Sequence, residues 1–380
     1  MKEFQVEWSE SEIERVLRRV AECKLPPAPA GVGWSLGCDP DFLAGVQKYW
    51  AESFDWCACQ ARLNQYPQYI AEIDDLPVHF VHVKGEAEGK RPLLLTHGWP
   101  GSHFEFWKVI EPLAFPSRHG GKAEDAFDLV IPSLPGFGFS GKPGRVFGQR
   151  ETAALWNKLM TEVLGYSRYR AQGGDWGAVV TSWLGLDHGA SVEAIHLNML
   201  AFRSMTPPRD EAEKAWQAAS EMAQRMYGGY AAVQMFKPMS IAWAAADNPL
   251  GQAAWILERF HDWADLRTRS FEEVFDLDSL LTNLMIYVMT GSFASAALFY
   301  PGVVKEGFTI LPAGTRCETP MTFADYSGDA LTPSPPRTRV ELVYNVAGWT
   351  TPPEGGHFAA MEVPDYFVAD LRAWASPAGR

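Results

Sequence analysis

The sequence predicts an α/β fold: a mostly parallel sheet with helices on both faces, an inserted helical lid and an N-terminal helical meander. Three observations carry this reading. From residue 77 to about 200, short apolar segments alternate with helical stretches, and each ends in a Gly-rich or polar turn. Residues 208–300 then hold helical patterning without a convincing strand. Strands resume after that block and a last helix closes the chain. The organisation that follows is a meander over 1–76, the first part of the core over 77–200, a lid over 201–304 and the second part of the core over 305–380.

Each element has a local cause. Ser9-Glu10-Ser11-Glu12 reads as a capping box, and Ile13, Val16, Leu17 and Val20 form the apolar stripe of the helix it starts. That helix stops before Pro26-Pro27, and a second starts near Asp39-Pro40 with Phe42, Val46, Tyr49 and Trp50. The predicted strands are Val78–Val83, Pro92–Thr96, Phe127–Ile131, Tyr169–Gln172 and Ala194–Leu197. In the lid, Arg209–Arg225 and Ser279–Met289 read as helices. Strands return at Pro320–Phe323 and Val340–Val346, before a helix over Pro364–Ala375. An insertion of helices into a parallel sheet is expected to cover the strands' C-terminal edge, where such folds bind ligands.

Composition narrows the function. The formal net charge of -13 and the lack of any basic run argue against nucleic-acid binding, which depends on clustered Lys and Arg. The 47% hydrophobic content supports a sizeable core. Five cysteines, odd in number and irregularly spaced, suggest a reducing compartment. Cys57 and Cys59 lack a matching Cys/His pair at zinc spacing, so no metal is expected. The N-terminus has no apolar signal region and no run is long enough to span a bilayer. The expectation is a cytoplasmic protein without a membrane partner, a homodimer being one possible state.

The chemistry centres on Gly173-Gly174-Asp175-Trp176-Gly177, which follows a strand and opens a helix. This is the nucleophile elbow of α/β hydrolases with Asp in the place of Ser. A plain helix cap is the blander reading of such an Asp. The nucleophile reading has a chemical rationale. A carboxylate that attacks saturated carbon leaves an ester, which water can cleave, whereas Ser would leave an inert ether. In this architecture an acid and then a histidine follow the nucleophile. His357, within Gly355-Gly356-His357-Phe358, is the expected base. Asp329 is the best orienting acid, with Asp325 and Glu354 as rivals. The turn His97-Gly98-Trp99-Pro100-Gly101-Ser102 can aim the Trp99 N–H at a developing oxyanion, opposite the N–H of Trp176. His97, Pro100 and Trp176 are candidate substrate contacts. Two other strings are set aside. Gly33-Trp34-Ser35-Leu36-Gly37 lacks a preceding strand, and Gly136, Gly138 and Gly141 lack the helix that a dinucleotide site needs.

On these motifs the chain resembles the microsomal-type epoxide hydrolases over nearly its whole length. Tyr49-Trp50, Phe54-Asp55-Trp56 and Leu63 to Gln68 look like that family's meander. His97 to Ser102 matches its HGWPGS turn, Gly173 to Gly177 its GGDWG elbow, and Gly356 to Ala360 its GHFAA turn. The resemblance implies that Tyr230 and Tyr300 in the lid protonate the epoxide oxygen, and it too places the acid at Asp329. It implies a cofactor-independent detoxifying hydrolase whose reactants are a small epoxide, apolar or aryl, and water. Three departures stand out: the N-terminal anchor helix of membrane-bound relatives is not expected here, Cys57 stands where relatives often carry Arg, and the acid is Asp where some members have Glu. A haloalkane dehalogenase would use the same Asp, acid and His with halide-binding N–H donors. A ligand-binding protein on the same fold is the non-enzymatic alternative.

Overall fold

The computed structural model describes residues 1–86, 91–307 and 309–375. Residues 376–380, assigned from the sequence to the second part of the core, lie outside the described residues. The main sheet is built from β1 (Lys2–Phe4), β2 (Gln68–Ile73), β3 (Leu76–Val83), β4 (Arg91–Thr96), β5 (Phe127–Pro132), β6 (Tyr169–Gly173) and β7 (Val192–Leu197). A small pair, β8 (Arg203–Ser204) and β9 (Ile310–Leu311), stands apart at the foot of the lid, and β10 (Cys317–Ala324) and β11 (Tyr344–Thr350) complete the main sheet. The strand order is β1-β2-β3-β5-β4-β6-β7-β10-β11. Pairing is parallel from β5 to β11 and antiparallel at the β1 end.

The apolar strands explain this arrangement. Leu93, Leu94, Leu95, Leu129, Val130 and Ile131 are wholly buried, as central strands covered on both faces must be. The helix Asp175–Asp187, which leaves β6, lies under the sheet with most of its residues buried. It is apolar nearly all round, the pattern of a helix with no water face.

Two boundaries differ from the sequence reading. The sheet begins earlier than residue 77, because β1 and β2 belong to the segment read as a helical meander. β2 and β3 form a hairpin whose turn residues, Asp74 and Asp75, both have positive φ (51° and 61°). Two such residues make the turn that suits twisted strands, and Asp tolerates that backbone better than most. The segment Gln68-Tyr-Ile-Ala-Glu-Ile carried the alternation that could have found it. The last strand also starts later than Val340. Arg337–Val340 is a helical turn, and the strand runs Tyr344–Thr350.

The helical insertion covers the sheet's C-terminal edge with Glu211–Tyr227, Gly229–Phe236, Pro238–Ala245, Pro249–Trp263, Leu277–Thr290 and shorter pieces to Lys305. The N-terminal segment straps this layer down. Its first helix, Glu10–Glu22, has the Ser9–Glu12 capping box in full. Trp34 stacks on His261 with ring centroids 3.9 Å apart, and Tyr49 Oη donates to Asp278 at 2.7 Å. Among the described residues no single helix is long and apolar enough to cross a membrane.

Candidate active site

The elbow sets the first group. Asp175 has φ of 47°, a left-handed conformation that is costly for a residue with a side chain and that recurs at catalytic turns. The residues two positions to either side must be glycine. A Cβ on Gly173 would lie 2.1 Å from the carbonyl oxygen of Gly177, and one on Gly177 would lie 1.8 Å from that of Thr96. The tight turn thus projects the Asp175 carboxylate off the sheet edge at the start of a helix, where the partial positive charge favours an anion. The Trp99 N–H donates to Asp175 Oδ1 at 2.8 Å.

His357 enters from the loop beyond β11. Its Nδ1 lies 2.9 Å from Asp329 Oδ2, and its Nε2 lies 3.3 Å from Asp175 Oδ2. The first contact is a hydrogen bond; the second is an ion-pair distance. Asp329 is fixed in turn by the N–H groups of Leu331 (2.8 Å) and Thr332 (3.1 Å) and by the Thr332 hydroxyl. The two rival acids are elsewhere: Asp325 accepts from Ser334 Oγ at 2.5 Å, and the charge of Glu354 acts on Arg267. Burial alone would lower the His357 pKa, but the Asp329 and Asp175 carboxylates outweigh it and push the imidazole well above its ordinary value. Burial works against the charged form of Asp329 as well, and the facing imidazole holds its carboxyl below the usual range. Two carboxylates thus flank the imidazole and favour its charged form.

Across a pocket of about 340 Å³ stand Tyr230 and Tyr300, with ring centroids 6.0 Å apart and planes at 85°. Tyr230 stacks on Trp99 at 5.0 Å, and Tyr300 meets the Trp176 ring edge-on at 4.7 Å. Both are buried, and burial pushes both phenols well above the ordinary tyrosine value, so they are proton donors at neutral pH. The Tyr300 hydroxyl is buried beside the Tyr230 hydroxyl and the Trp176 indole N–H, both close enough to act on its proton, so the three polar groups converge on one part of the pocket. Tyr287 does something different. Its hydroxyl donates to the Gly101 carbonyl at 2.6 Å and pins the turn.

Two expected substrate contacts do not reach the pocket. The His97 ring is spent on the backbone, with Nδ1 donating to the Gly98 carbonyl (3.0 Å) and Nε2 accepting from the Leu134 N–H (3.1 Å). Burial lowers its pKa to about 4, so it stays a neutral brace of the turn. Pro100 is likewise buried, and its carbonyl accepts from Asn283 Nδ2 at 2.9 Å. Of the three, Trp176 alone lines the pocket.

Sequence reasoning missed two carboxylates. Glu362 accepts the N–H groups of Asp265 (2.8 Å), Gly356 (2.9 Å) and Phe358 (2.7 Å), so it ties the segment after the lid helix Pro249–Trp263 to both sides of His357. Burial pushes its carboxyl up to about 7. Glu105 lies against the Gly101 turn, where a Cβ on that glycine would fall 2.4 Å from its Oε2. Burial raises it to about 8; His357 opposes the rise and the Asp175 charge adds to it. The spacing of five residues from His357 to Glu362 was the one available signal, and it is uninformative without the fold.

Comparison with known proteins assigns the chain. Residues 1–106 match the family described as "Epoxide hydrolase N terminus", and residues 91–243 match the alpha/beta hydrolase fold. A putative epoxide hydrolase of Stigmatella aurantiaca is 37% identical over 97% of this chain and 83% of its own. The chain belongs to the epoxide hydrolase family. The enzyme is also 32% identical to epoxide hydrolase 1 of Oryctolagus cuniculus, over 97% of this chain and 87% of that one. Among solved structures, the Aspergillus niger epoxide hydrolase superposes with a TM-score of 0.84 at 29% identity, covering 98% of this chain and 95% of that one. The juvenile hormone epoxide hydrolase of Bombyx mori does so with a TM-score of 0.85 at 27% identity, over 97% and 92%. The triad alone would also suit a dehalogenase; the family membership decides for the epoxide reaction.

Proposed function

We propose that the enzyme converts an epoxide to a vicinal diol through an alkyl ester on Asp175. The observation that carries this is one pocket in which two phenols face a carboxylate already paired with an imidazolium. In the first step Asp175 attacks an epoxide carbon as the C–O bond breaks, and Tyr230 or Tyr300 gives its proton to the leaving oxygen. The product is an ester, a free hydroxyl and a phenolate.

The charge arithmetic of the site then prepares the second step. Ester formation removes the Asp175 negative charge, one of the two that hold the His357 proton. The imidazolium proton can return to the phenolate through water, which leaves a neutral imidazole oriented by Asp329. That imidazole takes a proton from water as the water oxygen attacks the ester carbonyl. The N–H groups of Trp99 and Trp176 are the proposed oxyanion donors, worth roughly 3 kcal/mol each. Collapse of the tetrahedral adduct passes a proton to the diol, and the Asp175 acid gives its own back to His357. The cycle closes as epoxide plus water to diol, without a cofactor.

The pocket walls support apolar substrates, since Val179, Met199, Leu200, Ala231, Met235 and Val303 line it beside the reacting groups. The test is a single turnover of styrene oxide in ¹⁸O-water with enzyme in excess. Label in the Asp175 peptide with an unlabelled first diol is the expected result. Label in the diol and none in the peptide would mean direct hydration and would overturn the ester route.

A further inference from the structure

Beyond the pocket with the reacting groups lies a second, larger cavity of about 730 Å³, between the lid helix Glu211–Tyr227 and the β8–β9 pair. Leu200, Arg203, Gln224 and Ile310 line both cavities, so the two are successive parts of one approach to Asp175. Of its remaining walls, Met205, Pro207, Pro208 and Trp216 are apolar and the rest are polar or charged. A small epoxide needs none of this space.

The charges here run against the rest of the molecule. The chain carries a net charge of -13, yet three guanidinium groups line this cavity and one carboxylate, Glu221. Arg339 is already occupied: it donates to the Thr206 carbonyl at 2.8 Å and lies 3.6 Å from Glu213. Glu221 accepts from Gln217 Nε2 at 3.0 Å. Among the described residues, Arg203 and Arg225 have no carboxylate partner. The Arg203 side chain is exposed at the mouth of the cavity, with its guanidinium 6.0 Å from the centre of the Trp216 ring. A guanidinium held against an aromatic face with its fork unused is a ready carboxylate site.

We propose that Arg203, with Arg225 beside it, binds the anionic end of the substrate, and that the preferred epoxides carry a carboxylate at the end of an apolar chain. The carboxylate would rest in the outer cavity while the chain crosses the shared wall to place the epoxide at Asp175. The consequence for turnover rests on the epoxide-hydrolase reading; the binding itself does not.

The experiment compares 10,11-epoxyundecanoate with its methyl ester in the full-length enzyme and in Arg203→Gln and Arg203→Lys. In Arg203→Gln the acid-over-ester ratio of kcat/KM should fall about tenfold through KM, with part restored by Arg203→Lys. An unchanged ratio would overturn the proposal. Calorimetric binding of undecanoate, which has no epoxide, separates the two readings. It should bind the wild type and weaken about tenfold in Arg203→Gln, whatever the turnover. Equal binding to both proteins, or none to either, would sink the anion site while leaving the ester mechanism intact.

Discussion

Two sets of buried histidines sit within the same core and are driven in opposite directions. His357 faces two carboxylates and is pushed well above its ordinary pKa. His79, His97 and His103 are buried as deeply under the HGWPGS turn, and burial drives them down, His79 to about 3 and His97 to about 4. Their partners are neutral: His79 meets Ser133 Oγ and Gln68 Oε1, each at 2.9 Å, and Ser133 reaches His103 at 3.2 Å. Burial alone makes a histidine neutral, and a facing carboxylate reverses the sign. The same residue type thus serves as a charge-carrying catalyst in one place and as a neutral brace in another.

The largest effect should come from His357→Gln. Alkylation of Asp175 should persist as a burst, while steady-state turnover falls roughly 10²- to 10⁴-fold, as for loss of a general base. Stopped-flow fluorescence with mass analysis of the trapped ester checks this, and loss of the burst would break the assignment. Asp329→Asn removes one of the two charges that set His357 apart. Turnover should fall by about 10²-fold or more, and the His357 pKa, read by NMR of ¹⁵N-labelled imidazole, should drop. A pKa that does not move would show that Asp175 alone sustains it.

Glu362→Gln sharpens the comparison from behind the catalytic loop. The amide cannot serve three backbone N–H groups as a carboxylate does, so stability should fall by about 1–3 kcal/mol in urea titration. The smallest effect belongs to the neutral cluster. His79 takes up its proton near pH 3 when folded and near 6.5 when unfolded. Between those values the unfolded chain binds more protons, so stability is full above about pH 6.5 and declines as the pH falls toward 3. His79→Gln should flatten the slope of Tm against pH in that window, whereas His357→Gln should not.

The contiguous motifs were legible from the residues alone because their chemistry is local. Gly173 and Gly177 report a turn with no room for Cβ, and Asp175 between them states the reaction type. Gly356-His357 after the last strand named the base. The strands from β3 to β7 could be read because two-sided burial forces continuous apolar runs. The β1–β2 addition was missed because polar Gln68 occupies a buried position of β2 and its partner β1 is short and mostly polar.

What the sequence could not decide is anything that depends on distance between remote segments. Asp329 is the preferred acid along the chain with Asp325 and Glu354 as rivals, and the tertiary fold brings Asp329 to 2.9 Å from the imidazole. The protonation of each histidine is set by the summed field of groups up to 182 positions away, as for Asp175 and His357, in a medium that screens poorly. Placing Arg203 on the wall shared by the outer cavity and the reacting pocket likewise needed the lid to fold over the sheet edge. Residue identity determined which chemistry was available; burial and proximity, which have no one-dimensional signature, decided which groups perform it.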